Sequence, residues 1–171
     1  MNQNTQDAYW KLWYETYFDA YFQELASEAL SNRWQKIDVV TTILVASTAS
    51  GSAIAGWSLW SEPGWKIAWA IIAGIAAALS IIHSKLGVPA NVKTQEELRS
   101  LFSGLRVALD TFRQQLIVGN NSSETKRKYD ELRGKFEAYM GRTKHGFTYT
   151  ESFRNKIQNQ LEDILRKKGY I

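Results

Sequence analysis

Two long stretches without a charged side chain, joined by six residues, constrain this 171-residue chain more than anything else in it. The first is VVTTILVASTASGSAIAGWSLW, Val39 to Trp60, and the second is IAWAIIAGIAAALSIIHS, Ile67 to Ser84. Ser61-Glu62-Pro63-Gly64-Trp65-Lys66 separates them. Helices through the two stretches would reach about 33 Å and about 27 Å, against a bilayer hydrocarbon core of about 30 Å. The pattern predicts a transmembrane helical hairpin. Pro63 suits the first central position of a type II turn and Gly64 the second. A loop this short predicts antiparallel helices.

The mean hydropathy of −0.33 averages two unlike parts, an apolar hairpin and charged flanks. The charge is unevenly placed. Residues 1–38 carry three basic and six acidic side chains, a net charge of −3, and residues 85–171 a net +7. Glu62 and Lys66 cancel, which leaves the overall +4. A basic carboxy-terminal segment beside a membrane predicts contact with anionic headgroups, although a solvated helical surface has the same composition. There is no cysteine. That excludes a disulfide framework, a thiolate metal site and a cysteine nucleophile. The amino terminus, MNQNTQDAYW, lacks the basic start and early apolar run of a cleavable signal.

Outside the hairpin the periodicity is helical. Trp10, Trp13, Tyr14, Tyr17, Phe18, Tyr21, Phe22 and Leu25 recur at spacings of three and four, and no Pro or Gly precedes Gly51. This predicts an amphipathic helix over 6–37 that can run unbroken into the first apolar stretch. Two settings suit its aromatic stripe: packing against the carboxy-terminal helices, or the bilayer interface. Gly87-Val88-Pro89-Ala90-Asn91 predicts a break, and Thr94 with Glu97 a capping box for the next helix. That helix presents Leu98, Leu101, Phe102, Leu105, Leu109, Phe112 and Leu116 on one face and ends near Gly119. A helix over 123–140 carries Tyr129, Leu132, Phe136 and Met140, and one over 151–168 carries Phe153, Ile157, Leu161, Ile164 and Leu165. The expected fold is therefore an all-α membrane protein in three parts: an aromatic amphipathic helix over 1–37, a transmembrane hairpin over 38–86, and a cytoplasmic helical region over 87–171.

Orientation follows the basic residues. Arg33 and Lys36 precede the first stretch, Lys85, Lys93 and Arg99 follow the second, and the loop holds only Lys66. Both termini are expected in the cytoplasm of a bacterial inner membrane, with the loop outside. Trp57, Trp60, Trp65 and Trp69 gather near the loop as an outer interfacial belt, and Trp34 marks the inner interface. At 100° per residue each stretch divides into faces. Small or hydroxyl side chains, including Ser47, Thr48, Gly51, Ser52 and Gly56 on the first and Ala70, Gly74 and Ala77 on the second, form stripes suited to close helix packing. Val39, Ile43, Ile54, Trp57, Ile71, Ile72, Ile75, Leu79 and Ile82 fall opposite, toward lipid. One hairpin contact cannot use both small faces, so the surplus predicts self-association. A charge-free, hydroxyl-lined stripe is then a candidate water path.

No constellation for catalysis stands out. There is no Walker A sequence, no G-x-G-x-x-G, no H-E-x-x-H and no G-x-S-x-G. His83 and His145 have no metal-spaced partner. Lys126-Arg127-Lys128 and Arg166-Lys167-Lys168 could touch phosphates, but no nucleic-acid-binding signature accompanies them. The chain is expected to be no enzyme, to need no cofactor or metal, and to bind no nucleic acid directly.

Tyr17 to Leu116 resembles the SLATT superfamily of bacterial two-transmembrane effectors. The resemblance is carried by Ala29–Ile37 running into VVTTILVASTASGSAIAGW, then by IAWAIIAGIAAALSIIHSKLG and TQEELRSLFSGLRVALDTF. It implies a role in antiviral conflict systems, beside a nucleotide-signal synthase or a reverse transcriptase, with pores that kill or arrest the infected cell. The resulting expectation is an oligomeric inner-membrane effector, a toxin acting through its spans. The alternative is a membrane-anchored scaffold whose cytoplasmic helices bind a partner protein.

Overall fold

A computed structural model describes residues 3–58, 63–118, 122–143 and 149–170, without the side chains of residues 3–5, 47–58, 63–66, 69, 73, 82–84, 86 and 122. The architecture is all-α. Five helices follow in order: α1 Gln3–Ser58, α2 Pro63–Leu86, α3 Val88–Val118, α4 Ser122–Met140 and α5 Glu151–Lys167. Without an early Pro or Gly, α1 continues from the aromatic stripe into the first apolar stretch. The chain divides into two compact units, residues 1–29 with 95–171, and residues 30–94. α1 contributes to both.

The first unit has the larger core. Trp13, Tyr17, Tyr21 and Leu25 of α1 pack with Leu98, Phe102, Leu105, Leu109, Phe112 and Leu116 of α3, Tyr129, Leu132 and Phe136 of α4, and Ile157, Leu161 and Leu165 of α5. These are the apolar positions of the three-and-four spacing. Each fully buried side chain of this size removes enough apolar surface for about 1.5–3 kcal/mol. The aromatic stripe is thus a packing surface: Trp13 stacks on Tyr17 at 5.1 Å, and Tyr9 meets Tyr129 edge-on at 6.2 Å.

Two of these rings have their polar tips paired. Trp13 Nε1 donates to the Leu109 carbonyl at 2.9 Å, and the Thr16 and Tyr129 hydroxyls share a bond of 3.1 Å. The Arg106 guanidinium meets both Glu24 carboxylate oxygens, at 2.6 and 3.3 Å, and lies 4.7 Å over the Tyr21 ring.

In the second unit, α2 and α3 are separated at Gly87 alone, whose φ of +57° suits glycine. The break expected over 87–91 is confined to this residue, and the expected capping box is not used. Pro89 sits in the first turn of α3, where its missing N–H costs little. The Asn91 N–H already donates to the Gly87 carbonyl at 2.9 Å, so Thr94 is interior to α3. Its hydroxyl donates back to Ala90 at 2.8 Å. At α5 the capping is as the sequence chemistry requires. Thr150 is extended and its hydroxyl accepts from the Phe153 N–H at 3.3 Å. Among the described residues no helix is long and apolar enough to cross a membrane. Residues 59–62 and many side chains of the two apolar stretches lie outside those residues; Pro63 and Gly64, expected at the centre of a type II turn, are instead the first residues of α2, where proline's missing N–H costs little.

Candidate functional site

The second unit presents an unusual surface for a chain in water. Ten of the fourteen large hydrophobic side chains exposed among the described residues belong to it. On α1 they include Val39, Val40, Ile43 and Leu44, and on α2 Ile67, Ile71, Ile75 and Ile81; all but Leu44 are more than half exposed. Single exposed aliphatics are ordinary, but contiguous rows on one unit mark a surface made for apolar contact.

The seam of this unit follows from the less exposed positions. On α1 these are Leu30, Ser31, Trp34, Asp38, Thr41 and Val45, at the spacing of one helix face. Thr41 is buried, with its hydroxyl donating to the Ile37 carbonyl at 2.7 Å. On α2 the less exposed described positions are Ala68, Ala76 and Leu79. Of the α2 residues expected toward lipid, Ile71, Ile72 and Ile75 are exposed, whereas Leu79 is half-buried. Leu79 falls on the same side of the helix as Ala68 and Ala76, and hydrophobicity alone does not separate it from its outward neighbours.

Ala70, Gly74 and Ala77 are all exposed. At 100° per residue they lie on the side of α2 turned away from the seam. A Cβ built on Gly74 would meet no atom within 4 Å. Ser47, Thr48, Gly51, Ser52 and Gly56 of the small stripe, and Trp57, Trp60, Trp65 and Trp69 of the aromatic belt, lie outside the described side chains.

Polar features of the first unit are mostly committed internally. An open groove of about 620 Å³ is lined by Glu24, Glu96, Arg99, Ser100, Ser103, Gly104 and Val107. Its arginine Arg99 pairs with Glu28 at 3.3 Å, and its carboxylate Glu24 pairs with Arg106. Tyr170 is folded back by Gly169, whose φ is +70°, so that its hydroxyl donates to Asp110 at 3.0 Å and accepts from Arg113 at 3.2 Å. Its ring stands edge-on to Trp13 and Tyr17. Beneath it the Tyr17 hydroxyl is buried without a hydrogen-bond partner. Burial, then the nearby Asp110 carboxylate and Tyr170, push the Tyr17 phenol far above its usual range. Burial likewise raises the Asp19 carboxyl, with Glu15 adding to the rise and Arg133 opposing it.

These pairs were not foreseeable. Glu24 and Arg106 are 82 residues apart, and Asp110 and Tyr170 are 60 apart, with no local spacing to link them. Among the described residues no group of three His, Cys, Asp or Glu is placed to hold a metal ion. No family model, no curated protein and no solved structure matches this chain.

Proposed function

We propose that this chain is a membrane-inserted, self-associating effector whose α1–α2 hairpin permeabilises a bacterial inner membrane when triggered. The observation that carries this reading is the row of exposed aliphatics on the second unit, Val39 to Leu44 and Ile67 to Ile81. In water about 25 cal/mol is lost for each square ångström of such surface left exposed, and lipid removes that cost. The charge-free run of both stretches and the resemblance to SLATT proteins add support. Both termini then face the cytoplasm, and the first unit is the cytoplasmic body that receives the trigger. The outward position of Ala70, Gly74 and Ala77 favours close contact with another copy.

The deciding experiment is regulated expression with a membrane-potential dye, beside a variant whose residues 38–86 are replaced by an unrelated two-span anchor. The expected result is depolarisation and growth arrest from the parent, and neither from an anchor-swapped variant that still inserts. Arrest retained after the swap would overturn the reading in favour of a membrane-anchored scaffold. Intact potential under every trigger, including infection, would overturn it as well. Reporter fusions at Ile171 and within 61–66 check the topology, and an exported carboxy terminus would contradict it.

A further inference from the structure

Three exposed cations of the second unit, Arg33, Lys36 and Lys85, adjoin one end of its aliphatic surface, and Lys66 precedes Ile67 at the other. On α1, Asn32, Arg33, Gln35 and Lys36 are exposed, and the exposed aliphatics begin at the next residue, Ile37. On α2, the exposed run that starts at Ile67 reaches Ile81, and the exposed Lys85 closes it in the last turn. α1 and α2 are joined by only four residues outside the helices, 59–62, so the Arg33–Lys36 turn, 22 to 25 residues before the end of α1, and Lys85, 22 residues after the start of α2, lie at similar distances along the two helices from that connection. The only carboxylates within 30–94 are Asp38, half-buried on the seam, and Glu62 beside the remote connection.

We propose that Arg33, Lys36 and Lys85 form a belt that binds the headgroup phosphates of anionic phospholipids, so that the chain retains anionic lipid at its boundary. The inference rests on the membrane reading of this unit. Its further content is lipid selectivity. Cations alone would suit any phosphate, but here each row of cations adjoins a row of isoleucine, valine or leucine. The ligand that satisfies both is one whose phosphate is joined to hydrocarbon. A phosphatidylcholine phosphate is shielded by its own choline cation, whereas a phosphatidylglycerol phosphate is not. Each Lys or Arg near an anionic surface contributes about 1 kcal/mol, and salt screens it over a Debye length of about 8–10 Å.

The test reconstitutes the full chain in phosphatidylcholine bilayers containing trace spin-labelled phosphatidylglycerol or spin-labelled phosphatidylcholine. The motionally restricted fraction of each label is measured by electron spin resonance. A preference for phosphatidylglycerol of about threefold or more is expected for the parent, shrinking at 1 M salt. It should fall to no preference in R33Q/K36Q/K85Q and persist in K36R/K85R. K126Q/R127Q, altered on α4, should keep it. A restricted fraction without preference in the parent, or a preference that survives the three glutamines or is lost with the α4 pair, overturns the belt and leaves the membrane reading intact. No restricted fraction for either label overturns both.

Discussion

Tyr17 is fully buried, yet its hydroxyl has no hydrogen-bond partner. The Tyr170 hydroxyl above it is already committed to Asp110 and Arg113. A buried unsatisfied hydroxyl costs about 1–3 kcal/mol, so Tyr17→Phe should stabilise the first unit by about 1 kcal/mol in urea unfolding. The same residue sets an alkaline limit. Its folded pKa is raised above the unfolded value near 10, so its contribution is fully present below pH 10 and is lost as pH rises through the folded value. Above pH 10 the unfolded chain loses a proton that the folded chain keeps, and stability falls. Tyr17→Phe should flatten that alkaline limb; a limb of unchanged slope would assign it to Tyr21, Tyr149 or Tyr170, which burial also raises. Glu24 and Arg106 carry the opposite lesson. Their side chains are 11 % and 18 % exposed, so removing one partner strands the other charge in a largely dry site. Arg106→Met should cost about 3 kcal/mol, and the double change with Glu24→Met clearly less than the sum of the two single changes. Equal additivity in a double-mutant cycle would mean that the pair is not coupled.

Element by element, the helices of this chain are written in its apolar spacing, and their junctions are not. Leu98 through Leu116, Tyr129 through Phe136 and Ile157 through Leu165 are core positions that the three-and-four pattern identifies directly. The α2–α3 junction was harder because Gly87, Pro89 and a Thr-x-x-Glu pattern compete to end one helix and begin the next. Gly87 prevails because one residue at positive φ interrupts the helix, while Pro89 is harmless in a first turn. Gly87→Ala should therefore cost about 1 kcal/mol of second-unit stability, since an L side chain is strained at that φ. Gly104→Ala in α3, where a Cβ meets nothing within 4 Å, should instead be neutral or stabilising. Parallel thermal unfolding of the two variants checks the pair. Faces within the apolar stretches were only partly legible. A 100° step sorts residues onto sides, but the choice of Ala68, Ala76 and Leu79 as the seam depends on side-chain interlock, which periodicity does not encode. The same limit hid Glu24–Arg106 and Asp110–Tyr170, whose partners meet only after the helices pack.

At the scale of the whole molecule the two units handle apolar surface in opposite ways. The first unit buries its aromatics and leaves few large hydrophobics exposed, whereas the second leaves branched aliphatics outward along both helices. On the membrane reading proposed above, the small face of α2 is the part of that surface suited to another helix. Gly74 makes the distinction testable. Nothing lies within 4 Å of a Cβ placed there, and the position faces away from the seam, so Leu at 74 has room within the single chain. Leucine also forms helix better than glycine by close to 1 kcal/mol and is at least as favourable in a span. Gly74→Leu should therefore leave helicity, unfolding and membrane insertion unchanged. Between two copies the effect differs, because a leucine side chain holds apart backbones that glycine lets touch, and the dispersion contacts that drive association in lipid are lost. The expected outcome is loss of oligomers in crosslinking and native-size measurements in mild detergent, together with loss of depolarisation. Gly51→Leu, on the first stretch, is expected to act in the same direction, and Ile72→Leu to change little, because it conserves volume. If Gly74→Leu assembles like the parent, the small face of α2 is not the contact between copies. If Ile72→Leu disrupts as strongly, the contact runs along the isoleucine side of the helix instead.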